Sequence, residues 1–168
     1  ESSSDIELAG RVLNSALDGG INFLDTAARY GNTEEMIGRT VAHRRNEYIL
    51  ATKAGHVIGS AKGKPWTAGV IEESIDRSLK RLRTDHLDLV QLHSCALEVL
   101  QRGEVIDALD KARDAGKTRF IGYSGDNEAS RWAVESGRFD TLQTSYNLVE
   151  QHARTKGLFA LAESSGMG

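Results

Sequence analysis

Residues 67–92 have the sequence TAGVIEESIDRSLKRLRTDHLDLVQL, which contains the clearest helix-then-strand pattern in the chain. Its first part places apolar side chains at helical spacing, which predicts an amphipathic helix capped by Thr67. Its last part, Leu87–Leu92, is short and mostly apolar, as buried parallel strands are. The inward positions of the helix are Ile71, Ile75, Leu79 and Leu82. A helix followed directly by a buried strand is a repeating unit of α/β folds.

The same alternation of strand and helix runs along the whole chain. Such units imply parallel strands joined by right-handed crossovers, in either a doubly wound sheet or a β/α barrel. Periodicity alone leaves both open. The first strand lacks a following Gly-x-Gly-x-x-Gly motif, which removes the usual reason to prefer a dinucleotide-binding doubly wound sheet. The other predicted strands are Ile21–Asp25, Glu47–Thr52, Thr118–Tyr123 and Phe139–Thr144.

About six helices are expected between and around these five strands, in one α/β domain over residues 1–168. An opening helix ends at Gly19-Gly20, a later one ends at Gly116, and a third is capped by Asp126 and ends at Gly137. The residues expected to face inward from the opening helix are Leu8, Val12, Leu13, Ala16 and Leu17.

Composition excludes several classes of function. The 168 residues carry a net charge of -3 with no basic stripe, so we expect no nucleic-acid partner. The apolar runs are too short to cross a bilayer, and a single cysteine, Cys95, fits a reducing compartment, so a cytoplasmic protein without membrane contact is expected. The loop Gly59–Pro65 has Pro65 where a P-loop needs Ser or Thr, and we interpret it as a flexible loop.

Polar residues occur where the first three predicted strands end. Asp25, Lys53 and His93 lie at or just past these carboxyl ends, and Tyr30 lies in the loop after the first strand. Parallel strands bring such ends to one face, which is the catalytic face of barrels. An acid, a phenol, an amine and an imidazole together indicate proton transfer to a developing alkoxide. Lys53 would stabilise the Tyr30 phenolate, Asp25 would orient Lys53, and His93 would bind the substrate oxygen.

Each of these residues also has an ordinary structural interpretation, and their joint order favours the functional one. Cys95 is interpreted as a small buried apolar residue rather than a thiolate. Trp66 either lines a pocket or packs over its loop, and both interpretations stay open. The five histidines form no His-x-His or His-Glu-x-x-His pattern, so no metal site is expected.

Several of these segments resemble those of the aldo-keto reductases. Residues 20–31, GINFLDTAARYG, are similar to the signature of that family in which an aspartate precedes the catalytic tyrosine. Thr52-Lys53 and Gln91-Leu92-His93 are similar to its lysine and histidine segments. Gly122-Tyr123-Ser124 and residues 143–147 resemble the segments whose serine and glutamine hold the nicotinamide carboxamide, which implies cofactor contacts from Ser124 and Gln143. Gly125 departs from the frequent asparagine, and Asp126 or Asn127 is expected to compensate.

The resemblance implies an incomplete β/α barrel that lacks the family's first, seventh and eighth strands and so exposes an apolar interior. It also implies a bound NADPH, with NADH as the alternative, a small-molecule aldehyde or ketone as substrate, and Tyr30 as general acid in its reduction or in the reverse oxidation. Two other interpretations remain, a cofactor-binding regulatory module on the same scaffold and a catalytically incompetent fragment. The oligomeric state and the individual carbonyl substrate are not predicted.

Overall fold

A computed structural model describes residues 3–59 and 62–168, without the side chain of Ser3. Within the Gly59–Pro65 loop that is predicted to be flexible, Ser60 and Ala61 lie outside the described residues. The strands are β1 Phe23–Asp25, β2 Ile49–Ala54, β3 Leu87–His93, β4 Thr118–Ser124 and β5 Thr141–Gln143. The helices are α1 Ser3–Asp18, α2 Thr33–Thr40, α3 Ala68–Leu82, α4 Leu97–Arg102, α5 Glu104–Asp114, α6 Asn127–Glu135, α7 His152–Thr155 and α8 Leu158–Ser164, and a 3-10 helix covers Ala42–Glu47.

The five strands form one parallel sheet in the order β1-β2-β3-β4-β5. Each strand pairs with the next one along the chain, which is the order of a barrel, whereas a doubly wound sheet reverses its order at a switch point. The sheet is a curled half-barrel, and the prediction of an incomplete β/α barrel is confirmed.

The predicted strands all form, but the two at the edges are shorter than predicted. β1 begins at Phe23 rather than Ile21, and β5 covers Thr141–Gln143 rather than Phe139–Thr144. Each edge strand has one neighbour and pairs with it over three residues, β1 with the first half of β2 and β5 with the last three residues of β4. The described chain also has eight α-helices instead of about six. The short α4 and α7 escape prediction because four to six residues are too few to show an apolar stripe.

Two residues predicted as helix caps, Thr67 and Asp126, precede their helices, but their side chains make no capping hydrogen bond. Thr67 does precede α3, but its hydroxyl donates to the carbonyl of Lys64 at 2.9 Å. The first N–H of α3, that of Ala68, instead donates to Oε1 of Glu104, the first residue of α5, at 2.8 Å. Asp126 precedes α6, but its carboxylate accepts hydrogen bonds from the loop after β5. The Thr67 hydroxyl is thus taken by its own loop and replaced by the distant Glu104, whereas the Asp126 carboxylate is taken by residues 18 and 19 positions away.

The prediction for the opening helix α1 is only partly confirmed. Leu17 is buried and Leu13 packs against the core, but Leu8 and Val12 are 54% and 60% exposed. Among the described elements α1 packs on α2, and its partly or fully buried positions Ile6, Gly10, Leu13 and Leu17 recur at helical spacing along one face. Leu8 and Val12 lie on the opposite face of the helix and therefore point outward.

Side chains alternate between the helical layer and the barrel interior along each strand. Leu50, Val90 and Ile121 are fully buried in the core cluster on the helical side. On the interior side, Phe23, Ile49 and Phe120 are 49%, 44% and 53% exposed. The apolar barrel interior is thus open at the amino-terminal half of the strands, as the resemblance implied.

Every helix among the described residues is too short or too polar to cross a membrane.

Close packing between α2 and α3 depends on Gly38, which gives the first prediction. A Cβ added at Gly38 would contact the carbonyl oxygen of Arg81 and lie 2.8 Å from the carbonyl carbon of Leu82, both of which are backbone atoms that cannot rotate away. We expect Gly38→Ala to lower the free energy of unfolding by about 2 kcal/mol, as overpacking does. Urea unfolding of the purified chain, followed by circular dichroism, measures this.

Gly69→Ala is the matched control, because Gly69 is also helical but a Cβ there meets nothing within 4 Å. This variant should raise the free energy of unfolding by about 0.5–1 kcal/mol, since alanine restricts the unfolded chain. Equal stabilities for Gly38→Ala and Gly69→Ala would contradict the packing described for α2 and α3.

Candidate active site

The carboxyl ends of the five strands form one edge of the half-barrel, and the predicted site residues lie along it. In the register of the sheet, Lys53 pairs with Gln91, His93 pairs with Ser124, and Ser124 pairs with Gln143. Asp25 is the last residue of β1. Because these positions share the interior face of their strands, the structure brings their side chains to one mouth.

Lys53 and Asp25 form the centre of this mouth. The Lys53 ammonium donates to both carboxylate oxygens of Asp25 at 2.8 Å and to the carbonyl of Thr26 at 3.1 Å. The side chain of Lys53 is only 2% exposed, whereas that of Asp25 is 30% exposed. A buried ammonium is stable only when its charge is paired and its protons are bonded, and these three acceptors use all three.

Tyr30 lies above this ion pair in the loop between β1 and α2 and is 47% exposed. Its ring centroid is 5.2 Å from the Lys53 ammonium nitrogen, which lies over the ring. Its ring also meets the His93 ring edge to face, with centroids 5.8 Å apart. The four predicted residues thus lie close together. Because the ammonium protons of Lys53 bind Asp25 and Thr26, Lys53 interacts with Tyr30 electrostatically through the face of the ring and not by a hydrogen bond.

His93 ends β3 and is partly buried beside Tyr30. Burial, the neighbouring His56 ring and the positive charges of Lys53 and Arg29 together lower the pKa of His93 to about 4, against the opposite effect of the Asp25 carboxylate. The imidazole is therefore neutral at neutral pH, with one nitrogen protonated and the other bare. A neutral imidazole can donate one hydrogen bond to a substrate oxygen without carrying a charge into the site.

Ser124 and Gln143 connect to the same ion pair. The Ser124 hydroxyl donates to Gln143 Oε1 at 3.0 Å, and Gln143 Nε2 donates to Asp25 Oδ2 at 3.0 Å. This second bond joins β5 to β1, the two edge strands of the half-barrel. A continuous chain of hydrogen bonds thus runs from Ser124 through Gln143 and Asp25 to Lys53.

Gly125 has a local reason to lack a side chain. A Cβ there would lie 2.5 Å from the hydroxyl oxygen of Tyr123 and 2.8 Å from its ring. The Tyr123 hydroxyl is itself held by the carbonyl of Cys95 at 2.8 Å. The carboxylate of Asp126, one of the two residues expected to compensate, binds the Thr144 hydroxyl and both the N–H and the hydroxyl of Ser145 at 2.8–2.9 Å, and compensation by Asp126 or Asn127 stays a prediction.

The loop after β2 adds His56 and Trp66 to the wall of the site. The ring of His56 is 5.3 Å from that of His93 and 4.7 Å from that of Trp66. Trp66 packs over Gly55 of its own loop, as the structural interpretation expected, and through His56 it also borders the candidate catalytic group. Sequence pattern does not predict His56 as a site residue, since a histidine three positions after Lys53 matches no motif.

Neither a metal nor a thiolate is supported as part of this site. Across residues 3–59 and 62–168, His, Cys, Asp and Glu side chains form no group of three that could hold a metal ion. Burial raises the pKa of the Cys95 thiol to about 12, so this residue stays a protonated, buried side chain, as predicted.

A cavity of about 740 Å³ lies beside the mouth, between α4, α6 and α7. Cys95, Asp126 and Lys156 are among its lining residues, but Asp25, Tyr30, Lys53 and His93 are not. The candidate active site is instead the open mouth of the half-barrel.

Known proteins share both this sequence and this fold. The sequence profile of the Aldo/keto reductase family matches residues 2–168. The uncharacterized oxidoreductase YqkF of Bacillus subtilis is 39% identical over 118 residues, which cover 67% of this chain and 38% of that protein. L-galactose dehydrogenase of Arabidopsis thaliana is 40% identical over 113 residues, covering 63% of this chain and 34% of that enzyme. The matched part thus spans less than half of these two relatives.

Two solved structures extend the similarity to the fold. The holo form of aldo-keto reductase AKR11C1 from Bacillus halodurans superposes with a TM-score of 0.85 and 27% identity, covering 97% of this chain and 56% of that one. An aldo/keto reductase from Klebsiella pneumoniae, in complex with NADP and acetate, superposes with a TM-score of 0.81 and 25% identity over 99% of this chain and 58% of that one. With its half-barrel, its strand-end group and the profile match over nearly its whole length, the chain belongs to the aldo/keto reductase family.

Proposed function

We propose that the full-length gene product reduces a small-molecule aldehyde or ketone to an alcohol, or catalyses the reverse oxidation, with NADPH or NADH as hydride carrier. The observation that carries this proposal is the Lys53–Asp25 ion pair, buried at the mouth directly below the ring of Tyr30. A buried, paired ammonium next to an exposed phenol is suited to stabilising negative charge on that phenol when its proton leaves.

Tyr30 acts as the general acid in this proposal. Its half-exposed position lets its hydroxyl reach a substrate oxygen, while the charge of Lys53 on its ring side favours the phenolate that remains after proton transfer. Asp25 keeps Lys53 charged and fixed, because two of the three ammonium protons bind its carboxylate. In the oxidative direction the same phenolate takes the proton back from the alcohol.

His93 orients the carbonyl group. Its neutral ring lies edge to face with Tyr30, and in this proposal its N–H and the Tyr30 hydroxyl both donate to the substrate oxygen. Two hydrogen-bond donors on one carbonyl oxygen stabilise the charge that develops there as the carbon is reduced. A neutral donor also leaves the positive charge of Lys53 as the main electrostatic feature beside Tyr30.

Ser124 and Gln143 fit the carboxamide of a nicotinamide ring. Gln143 is exposed at the mouth, Ser124 is half-buried beside it, and the two bond to each other, so they offer a hydroxyl, an amide N–H and an amide oxygen to a group that both donates and accepts. The bound cofactor would supply the hydride, and these residues would orient it. The complex of the Klebsiella pneumoniae enzyme with NADP supports this cofactor class for a relative of the chain.

Tyr30→Phe tests the acid directly. The change removes only the hydroxyl, so we expect kcat for reduction of a reactive aldehyde to fall by several orders of magnitude while the Kd for NADPH stays within about twofold. Steady-state kinetics and fluorescence titration of the full-length gene product measure the two quantities. The control is Tyr48→Phe, which removes a buried hydroxyl that bonds the Val41 carbonyl at 3.3 Å far from the mouth. Near wild-type turnover in Tyr30→Phe would refute Tyr30 as the general acid, whereas NADPH binding without any turnover by the unsubstituted protein would favour a cofactor-binding module.

Lys53→Met tests the ion pair. It leaves the Asp25 carboxylate without its buried partner, so we expect both a loss of activity comparable to that of Tyr30→Phe and a loss of stability of about 3 kcal/mol. The double variant Lys53→Met with Asp25→Asn removes both charges and should recover stability but not activity. Thermal melts and aldehyde turnover separate these effects. Recovery of turnover by the double variant would show that the charge of Lys53 is not needed.

Titration of His93 gives a pH prediction. Because its pKa of about 4 in the folded protein is below its ordinary value of 6.5, the unfolded chain binds a proton first as the pH falls. Stability is therefore lost from about pH 6.5 downward to about pH 4, and His93 stays neutral above this window. Carbon-proton NMR of labelled histidines, assigned with a His93→Gln variant, measures the midpoint. A midpoint near 6.5 would contradict the burial and the positive surroundings described for this ring.

A further inference from the structure

The carbonyl of His93 lies where the pairing of β2 with β3 has stopped. The last paired residues of these strands are Ala54 and Leu92. One residue further, the N–H of Ser94 donates to the carbonyl of Ser124 on the β4 side at 2.7 Å. In a trans peptide the carbonyl opposes the following N–H, so the His93 carbonyl faces the β2 side, beyond the end of the ladder. A backbone carbonyl in this position needs a donor from elsewhere.

His56 supplies that donor. Its Nε2 lies 3.1 Å from the carbonyl oxygen of His93. Because a carbonyl only accepts, Nε2 must carry the proton, which fixes the tautomer of a neutral His56. Burial and the positive charge of Arg29 lower the pKa of His56, which outweighs the opposite effect of its hydrogen bond to His93. A neutral His56 also adds no third positive charge beside Lys53 and Arg29.

The loop that carries His56 is closed around it by Trp66. The N–H of Trp66 donates to the carbonyl of Gly55 at 3.1 Å. The indole covers the place where a Cβ of residue 55 would be, and Gly55 has a φ of +121°, so this closure requires glycine there. The indole then packs edge to face on His56, with ring centroids 4.7 Å apart. His56 is thus held from one side by Trp66 and from the other by His93.

We propose that His56 is a positioning residue for His93, which replaces the missing strand hydrogen bond at the end of β3 and thereby fixes the main chain from which the catalytic imidazole projects. This proposal rests on the proposed function, because it assumes that His93 orients the substrate. The rings of Trp66, His56, His93 and Tyr30 are in successive contact, with centroids 4.7, 5.3 and 5.8 Å apart, so a shift of His56 is transmitted directly to the substrate donors. Displacements of about 1 Å at such donors cost on the order of 100-fold in rate.

Two substitutions separate the hydrogen bond from the packing. His56→Gln keeps an N–H donor at the same number of bonds from the backbone, whereas His56→Phe keeps the ring against Trp66 and loses the donor. In the full-length gene product, we expect kcat for aldehyde reduction to fall about 10- to 100-fold in His56→Phe and less than about threefold in His56→Gln, with the Kd for NADPH unchanged in both. His43→Phe, the same change at an exposed histidine in the 3-10 helix, is the control for adding a phenylalanine.

A second measurement does not depend on activity. Nitrogen-proton NMR of labelled histidines should show His56 as the Nε2–H tautomer at pH 7, and the carbonyl carbon signal of His93, which reports its hydrogen bond, should shift more in His56→Phe than in His56→Gln. Wild-type kcat in His56→Phe, equal losses in both variants, or an unprotonated Nε2 would each overturn the proposal. If Tyr30→Phe retains activity, the proposed function fails, but the NMR result still decides whether His56 positions His93. If His56→Phe does not fold, the tautomer and the kcat of His56→Gln decide instead.

Discussion

The buried ammonium of Lys53 is the constraint around which the mouth of the half-barrel is organised. A charge that is 2% exposed must find its partners inside the protein, and the partners come from β1, through the Asp25 carboxylate and the Thr26 carbonyl. Asp25 in turn accepts a hydrogen bond from Gln143 of β5, which Ser124 of β4 holds. One buried charge therefore connects both edges of the curled sheet, and the candidate hydride and proton sites share a single network.

The strand β2, which carries Lys53, is hydrogen-bonded to other elements at two positions along its length. Thr52, the neighbour of Lys53 on the helical face, donates to the buried carboxylate of Glu34 in α2 at 2.7 Å, and Ser78 in α3 donates to the same oxygen. At the amino end, the N–H of Leu50 donates to Asp88, which is also bound by Arg45 at 2.6 Å. The helices α2 and α3 and the strand β3 are thus joined to β2 through residues that face the helical layer, away from the barrel interior. This anchoring gives the Lys53 side chain one direction, toward the barrel interior.

Predictions from sequence succeeded where a property follows from chain order and failed where it depends on distant groups. Strand ends of parallel units meet at one face, so the positions of Asp25, Lys53 and His93 followed from local pattern. The caps at Thr67 and Asp126 did not, since Glu104 competes for the Ala68 N–H and the loop after β5 competes for Asp126. The inward direction of Leu8 and Val12 also failed, because α1 has apolar residues on more than one side and the sequence does not show which face its neighbour covers.

The amino-acid sequence is enough to establish the alternation of strands and helices, the parallel α/β class, and which residue types stand at the strand ends. These properties are encoded in periodicity and in the order of short segments, which act locally. The barrel order of the strands, the hydrogen bond from Gln143 to Asp25, and the contact of His56 with the end of β3 become visible only in the folded structure. Those features depend on contacts between residues up to 118 positions apart, and their geometry exists only after the sheet has curled.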